Sequence, residues 1–149
     1  MTTLKQINVF LDSQPVALVG ASRNPKKFGY TAFKELKEKG MKIIPVNPHA
    51  EEIMGVKSYP NVKMLPPEVQ SLIIFTKKDQ TASIIRDAKE KGIKHVWIQQ
   101  MADSKEALDE LKNSGISFIS GECILMHYHP HSIHKFHKNL KKLFGRFPK

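Results

Sequence analysis

At 149 residues, with 40% hydrophobic and 26% charged residues, the chain has the size and make-up of one globular domain able to bury a full core. No run is apolar for long enough to span a bilayer, Met1-Thr2-Thr3-Leu4-Lys5 has no secretory apolar stretch, and the lone Cys123 excludes an internal disulfide, so the expected setting is the reduced cytoplasm. Of the net charge of +10, much lies in 127–149, where Lys135, Lys138, Lys141, Lys142, Arg146 and Lys149 face no acid, and the mildly basic body suits a phosphorylated small ligand as well as nucleic acid.

Apolar runs alternate with helical patterns along the chain. The first strand is predicted over 16–19, and it runs straight into Gly20-Ala21-Ser22-Arg23-Asn24-Pro25-Lys26-Lys27-Phe28-Gly29. A helix is predicted from about residue 30 to 39, with Phe33 and Leu36 on one face and Gly40 as its stop. Residues 42–46 form the second strand, closed by Asn47-Pro48. Residues 49–70 are irregular, with one short extended piece over 55–60 and a turn or short helix start at Pro66-Pro67-Glu68. The third strand, 71–76, has the continuous apolar character of a strand buried on both faces. Next come a helix over about 80–91 closed by Gly92, a strand over 95–98, a helix capped by Asp103 or Ser104 and running to about 113, and a short strand over 117–119.

Strand–helix alternation with glycine-stopped helices implies parallel crossover units. The expected architecture is an α/β, Rossmann-like doubly wound parallel sheet of about five strands with a C-terminal helix. Residues 1–126 form the domain, and 127–149 form a basic, His-rich helical extension packed on it. Ligands of such sheets sit beyond the carboxyl ends of the strands, where Gly20-Ala21-Ser22, Asn47-Pro48, Thr76-Lys77-Lys78, Gln99-Gln100 and Cys123 gather.

The loop after the first strand suits a phosphate. A helix N-terminus offers unpaired N–H groups and the positive end of a dipole, and Arg23, Lys26 and Lys27 stand beside it. The dinucleotide fingerprint G-x-G-x-x-G would need glycines at 22 and 25, where this chain has Ser22 and Pro25. A dinucleotide site also places a carboxylate at the end of the second strand for the ribose hydroxyls, and here that position is Asn47. A phosphate on that ribose would tolerate the missing carboxylate, which keeps an NADP-binding, oxidoreductase-like protein as an alternative. No obvious proton relay points to hydride transfer.

Gly20-Ala21-Ser22-Arg23 with Lys27 and Gly29, Pro45-Val46-Asn47-Pro48, Gly55, Gly92 with Val96-Trp97-Ile98-Gln99, and Cys123-Ile124-Leu125-Met126 occur in an order that resembles the CoA-binding domain family. The family includes small stand-alone Rossmann-like proteins and the N-terminal domain of the succinyl-CoA synthetase α subunit, and the resemblance covers roughly residues 13–126. It implies binding of CoA or an acyl-CoA without chemistry of the chain's own, since the relatives' synthetase chemistry resides in further domains. On this resemblance Gly20, Ala21, Ser22 and Arg23 hold the phosphates with Lys27 and Gly29, Asn47 and Pro48 flank the adenosine, and Thr76, Lys77, Ile98 and Gln99 line the remainder. The sequence departs from the family in reading Gln100-Met101 where a glycine is usual, and in preceding the third strand with Gln70-Ser71 where an acid is usual.

Other features have plainer readings. Cys123 is either a buried small hydrophobe or a thiol poised to form a mixed disulfide with CoA. His127, His129, His131, His134 and His137 either collect a metal or form a polar segment, and Pro130 interrupts the run. Ile133, Phe136, Leu140 and Phe147 recur at helical spacing, which fits a helix packed on the sheet or at a contact with a second copy or a protein partner. The lysines opposite that stripe leave a nucleic-acid-binding or interaction role as a further alternative, without an RNP-like strand or zinc-finger spacing to support it.

Overall fold

A computed structural model describes residues 2–128. The chain opens with a helix the apolar pattern does not announce, α1 (Leu4–Leu11). Thr3 caps it by accepting from the Gln6 N–H at 3.2 Å, while the Gln6 side chain accepts from the Thr3 N–H at 2.9 Å. This reciprocal pair is legible as T-x-x-Q, a signal that the search for apolar periodicity passes over. Then follow β1 (Val16–Val19), α2 (Phe28–Glu38), β2 (Ile43–Val46), β3 (Glu52–Ile53), β4 (Val56–Lys57), a 3-10 turn (Val62–Met64), β5 (Ser71–Ile74), α3 (Lys78–Lys91), β6 (His95–Gln99), α4 (Lys105–Leu111) and β7 (Ser117–Glu122).

The five long strands form one parallel sheet in the order β2-β1-β5-β6-β7. The expected Rossmann-like α/β fold is present. The single extended piece expected over 55–60 is instead a two-stranded antiparallel hairpin, β3–β4, turned through Met54 and Gly55 at φ 51 and 78°. β7 runs to Glu122, beyond the expected 117–119, because its register shifts between Trp97 and Gln99 and carries polar Ser120-Gly121-Glu122 along the ladder. Tyr59 bridges the outer side of β2, its N–H donating to the Pro45 carbonyl at 3.1 Å.

Strand alternation sorts the core into two layers. Val16, Leu18, Ile73 and Trp97 face α1 and α2, whereas Ala17, Val19, Leu72, Ile74, Val96 and Ile98 face α3 and α4. β1 and β5 are buried throughout, as a central parallel strand covered on both faces must be. On the second face, Arg86 of α3 reaches Glu106 and Glu110 of α4, each at 3.2 Å. The chain passes from β1 out to β2 and then returns to β5 on β1's other side. That reversal opens a crevice at the carboxyl ends of the strands. The expected C-terminal helix and the His-rich run beyond His127 lie outside the described residues.

Candidate functional site

At the end of β1 the backbone enters a conformation that glycine alone adopts without strain. Gly20 has φ +97°, and a Cβ there would meet the Phe75 carbonyl carbon and oxygen at 3.0 Å. Gly29, in the first turn of α2, meets this loop from the other side: a Cβ on it would overlap the Gly20 carbonyl oxygen and lie 3.1 Å from the Gly20 carbonyl carbon. The helix start and the strand end therefore touch backbone to backbone. No side chain caps α2 at Lys27, and no acid occupies its first turn. The positive end of its dipole is thus left without a resident anion.

Between the two glycines the loop is folded by its own side chains. Ser22 Oγ accepts from the Asn24 N–H, and Asn24 Oδ1 accepts from the Lys26 N–H, both at 3.0 Å. Asn47, at the end of β2, ties the neighbouring loop to this one. Its Nδ2 donates to the Ala21 carbonyl at 2.8 Å while its Oδ1 accepts from the His49 N–H at 2.7 Å. A carboxylate could not make the first of these bonds, which gives the asparagine a structural reason for standing where dinucleotide sites have an acid. Arg23 Nη2 donates to the His49 carbonyl at 3.5 Å.

A cleft of about 410 Å³ opens on the α3 side of the loop. It brings together five of the sequence-predicted residues: Gly20, Ala21, Asn47, Pro48 and Thr76. Its other walls are Val19, Val46, Val62 and Ile84, apolar, and Asp79, Gln80, Ser83 and Asp87 from α3. A broader hollow of about 870 Å³ over the β3–β4 hairpin, lined by His49, Glu51 and Lys57, joins it at Asn47, Pro48 and Pro60. Ser22, Arg23, Lys27 and Gly29 belong to the loop and helix start beside the cleft, with the Arg23 and Lys27 side chains exposed. Lys77 is the exposed N-cap residue of α3, whose first turn already carries Asp79. Two helix starts thus adjoin the cleft, and α2's is the one without a carboxylate.

Ile98 and Gln99 depart from expectation. Ile98 is fully buried in the α3-side core, and Gln99 is 4% exposed with its Oε1 accepting from the Ile124 N–H at 3.1 Å. Their side chains support the end of β6 from within and do not line the cleft. Cys123 is buried in the α1-side core, which fits the small-hydrophobe reading. Among the described residues no group of three His, Cys, Asp or Glu side chains is placed to hold a metal.

Sequence reasoning missed two features. Asp79, Ser83 and Asp87 recur every four residues along one face of α3, a spacing that a helical wheel would have exposed. Lys63 crosses to this helix, 2.8 Å from Glu90 and 3.7 Å from Asp87, and the contact raises the lysine's pKa and lowers that of Glu90. The other is Phe28, half exposed at the first position of α2, with its ring centroid 5.3 Å from that of Phe75.

A model of the CoA binding domain matches residues 14–129. The chain belongs to the CoA-binding domain family. It is 34% identical to the α subunit of ADP-forming acetate–CoA ligase II of Pyrococcus furiosus, over 93% of this chain and 31% of that protein. It is 30% identical to the uncharacterized Bacillus subtilis protein YneT, over 75% of this chain and 83% of that one. Among solved structures, a conserved hypothetical protein from Pyrococcus furiosus matches at 37% identity and a TM-score of 0.71, covering 74% of this chain and 95% of its own. The dinucleotide-forming acetyl-coenzyme A synthetase 1 of Candidatus Korarchaeum cryptofilum matches at 28% identity and a TM-score of 0.66, covering 75% of this chain and 26% of its own. The chain therefore spans under a third of these ligases and most of the length of the small relatives. Membership in the CoA-binding domain family supports CoA as ligand and gives no support to the NADP alternative. No helix among the described residues is long and apolar enough to cross a membrane.

Proposed function

We propose that this protein holds CoA or an acyl-CoA with its phosphates at the Gly20–Gly29 loop and its adenosine in the adjoining cleft, and that it delivers or senses the ligand without chemistry of its own. The observation that carries this reading is the pair of glycine contacts, which bring an uncapped, acid-free helix start against the end of β1. Ser22, whose hydroxyl already accepts from Asn24, keeps its proton for a phosphate oxygen. Arg23 and Lys27 supply charge-assisted bonds. Asn47 and Pro48 flank the nucleoside, Thr76 forms the floor between them and α3, and Lys77 adds charge at the rim.

The apolar walls of Val46, Val62 and Ile84 suit a purine ring, and the carboxylates of Asp79 and Asp87 disfavour a phosphate on the α3 wall. The phosphates are thereby confined to the α2 side. Thermal-shift titration tests this reading. CoA raises the melting temperature, and dephospho-CoA and NADP raise it less; silence towards all three nucleotides would overturn it.

A further inference from the structure

The two edges of the sheet differ. The outer side of β2 is taken up by the Tyr59 segment. Along β7 the Ser117 N–H donates inward to the Lys94 carbonyl at 3.0 Å, so alternation turns the N–H and C=O of Phe118 and Ser120 outward. Among the described residues no backbone group answers them from that side. A groove of about 320 Å³ runs between this edge and the start of α1, lined by Thr2, Gln6, Ile116, Ser117, Phe118 and Ser120. None of these carries a charge, in a chain whose net charge is +10. Val9, next along the Gln6 flank of α1, is 44% exposed. Solvent-facing edge strands are ordinarily guarded by a lysine, a proline or an inward-pointing charge, and Phe118-Ile119-Ser120 has none of these.

We propose that β7 is the seam of a symmetric dimer, pairing antiparallel with β7 of a second copy about a twofold axis at Ile119. Phe118 of each copy then lies opposite Ser120 of the other, and each such pair exchanges both of its backbone hydrogen bonds. Charge favours a second copy as the occupant. Two molecules this cationic repel wherever their lysines meet, and this edge brings none together. An acidic partner strand would need cations along the groove, which offers none. The twofold keeps both α1 helices on one face of the joined sheet and brings their Val9 flanks towards each other. The contact is self-complementary, so it closes at two copies. The Gly20 loop, separated from β7 by β5 and β6, stays open in both.

Sedimentation equilibrium of the full chain, with hydrogen exchange read at single amides over the same concentrations, tests this. The chain should associate reversibly to a dimer, and more tightly at higher salt, because screening relieves the repulsion between copies. As the concentration rises, exchange at the Phe118 and Ser120 amides should slow by at least roughly tenfold. Ser120→Pro removes one outward donor per copy and leaves the ladder with β6 intact, and it should weaken the dimer by at least roughly tenfold. Circular dichroism checks that this variant folds; if it does not, the exchange pattern of the unmodified chain decides alone. A chain that stays monomeric up to about 0.5 mM overturns the proposal. So does a dimer whose protection falls within 129–149 or on another face and spares Phe118 and Ser120, or a folded Ser120→Pro that associates as tightly as the unmodified chain.

Discussion

Gly29 lies so close beneath the Gly20 carbonyl that the start of α2 and the end of β1 leave no room for a single methyl group between them. Gly29→Ala should therefore push helix and strand apart. We expect a loss of about 2–3 kcal/mol in unfolding free energy, read by denaturant titration, because the blocking atom is backbone and cannot swing aside. Gly20→Ala combines a positive φ with a 3.0 Å approach to Phe75 and should cost at least about 1–2 kcal/mol. Both variants should lose CoA-induced stabilisation, and retention of full CoA affinity in Gly29→Ala would show that the phosphates lie elsewhere.

Asn47 offers a sharper test of the loop's positioning. In Asn47→Asp an oxygen replaces the Nδ2 that donates to the Ala21 carbonyl, and two acceptors then face each other. The expected cost is about 1–3 kcal/mol, with CoA affinity falling by more than roughly tenfold because the loop moves and a negative charge arrives together. Asn47→Ala should be milder in binding, since it removes the tether without adding the charge. Equal affinities for the two variants would assign the whole effect to the tether.

Arg23 and Lys27 are exposed and should contribute to binding with little effect on folding. Arg23→Gln and Lys27→Gln should each weaken CoA binding by roughly five- to tenfold at low salt. The deficit should shrink as ionic strength rises, because screening reduces what the unmodified side chains supply. Titrations at two salt concentrations, with melting temperature as control, check both statements.

His95, at the start of β6, carries a pH dependence unrelated to the ligand. Burial first, and then the neighbouring Lys94, hold its pKa below the ordinary 6.5. The folded protein thus favours the neutral ring. Its contribution to stability is full above pH 6.5, falls as the pH drops from there towards the folded-state value, and is level below that value. Unfolding midpoints at pH 8 and pH 5 should show the unmodified protein losing more over this interval than His95→Gln.

Much of the fold was legible because β1, β5 and β6 must be apolar on both faces, and Gly40 and Gly92 stop their helices in plain view. The hairpin was not, since Glu52–Ile53 and Val56–Lys57 are too short to show a period and depend on the turn between them. The phosphate loop could be located from Gly20 and its cations, but the sequence could not show what Gly29 touches, because that contact arises only when helix packs on strand. Ile98 and Gln99 sit at the correct end of the sheet. Helices cover both faces of the sheet, so a β6 side chain turns into one core layer or the other whichever face it takes, and alternation along the strand does not separate a lining residue from a supporting one.

Pro45 gives the sheet's β2 edge a property of its own. Its carbonyl faces outward to the Tyr59 N–H, so the N–H that proline lacks would also have faced outward, and the ladder with β1 loses nothing. An incoming strand from another molecule finds one donor missing there and the adjacent positions already taken by Tyr59. Growth of the sheet by edge-to-edge stacking is thereby discouraged on this side. The same Tyr59 segment holds the Asn47 N–H at 2.9 Å, so the stretch that covers this edge of the sheet also steadies the residue on which the loop hangs.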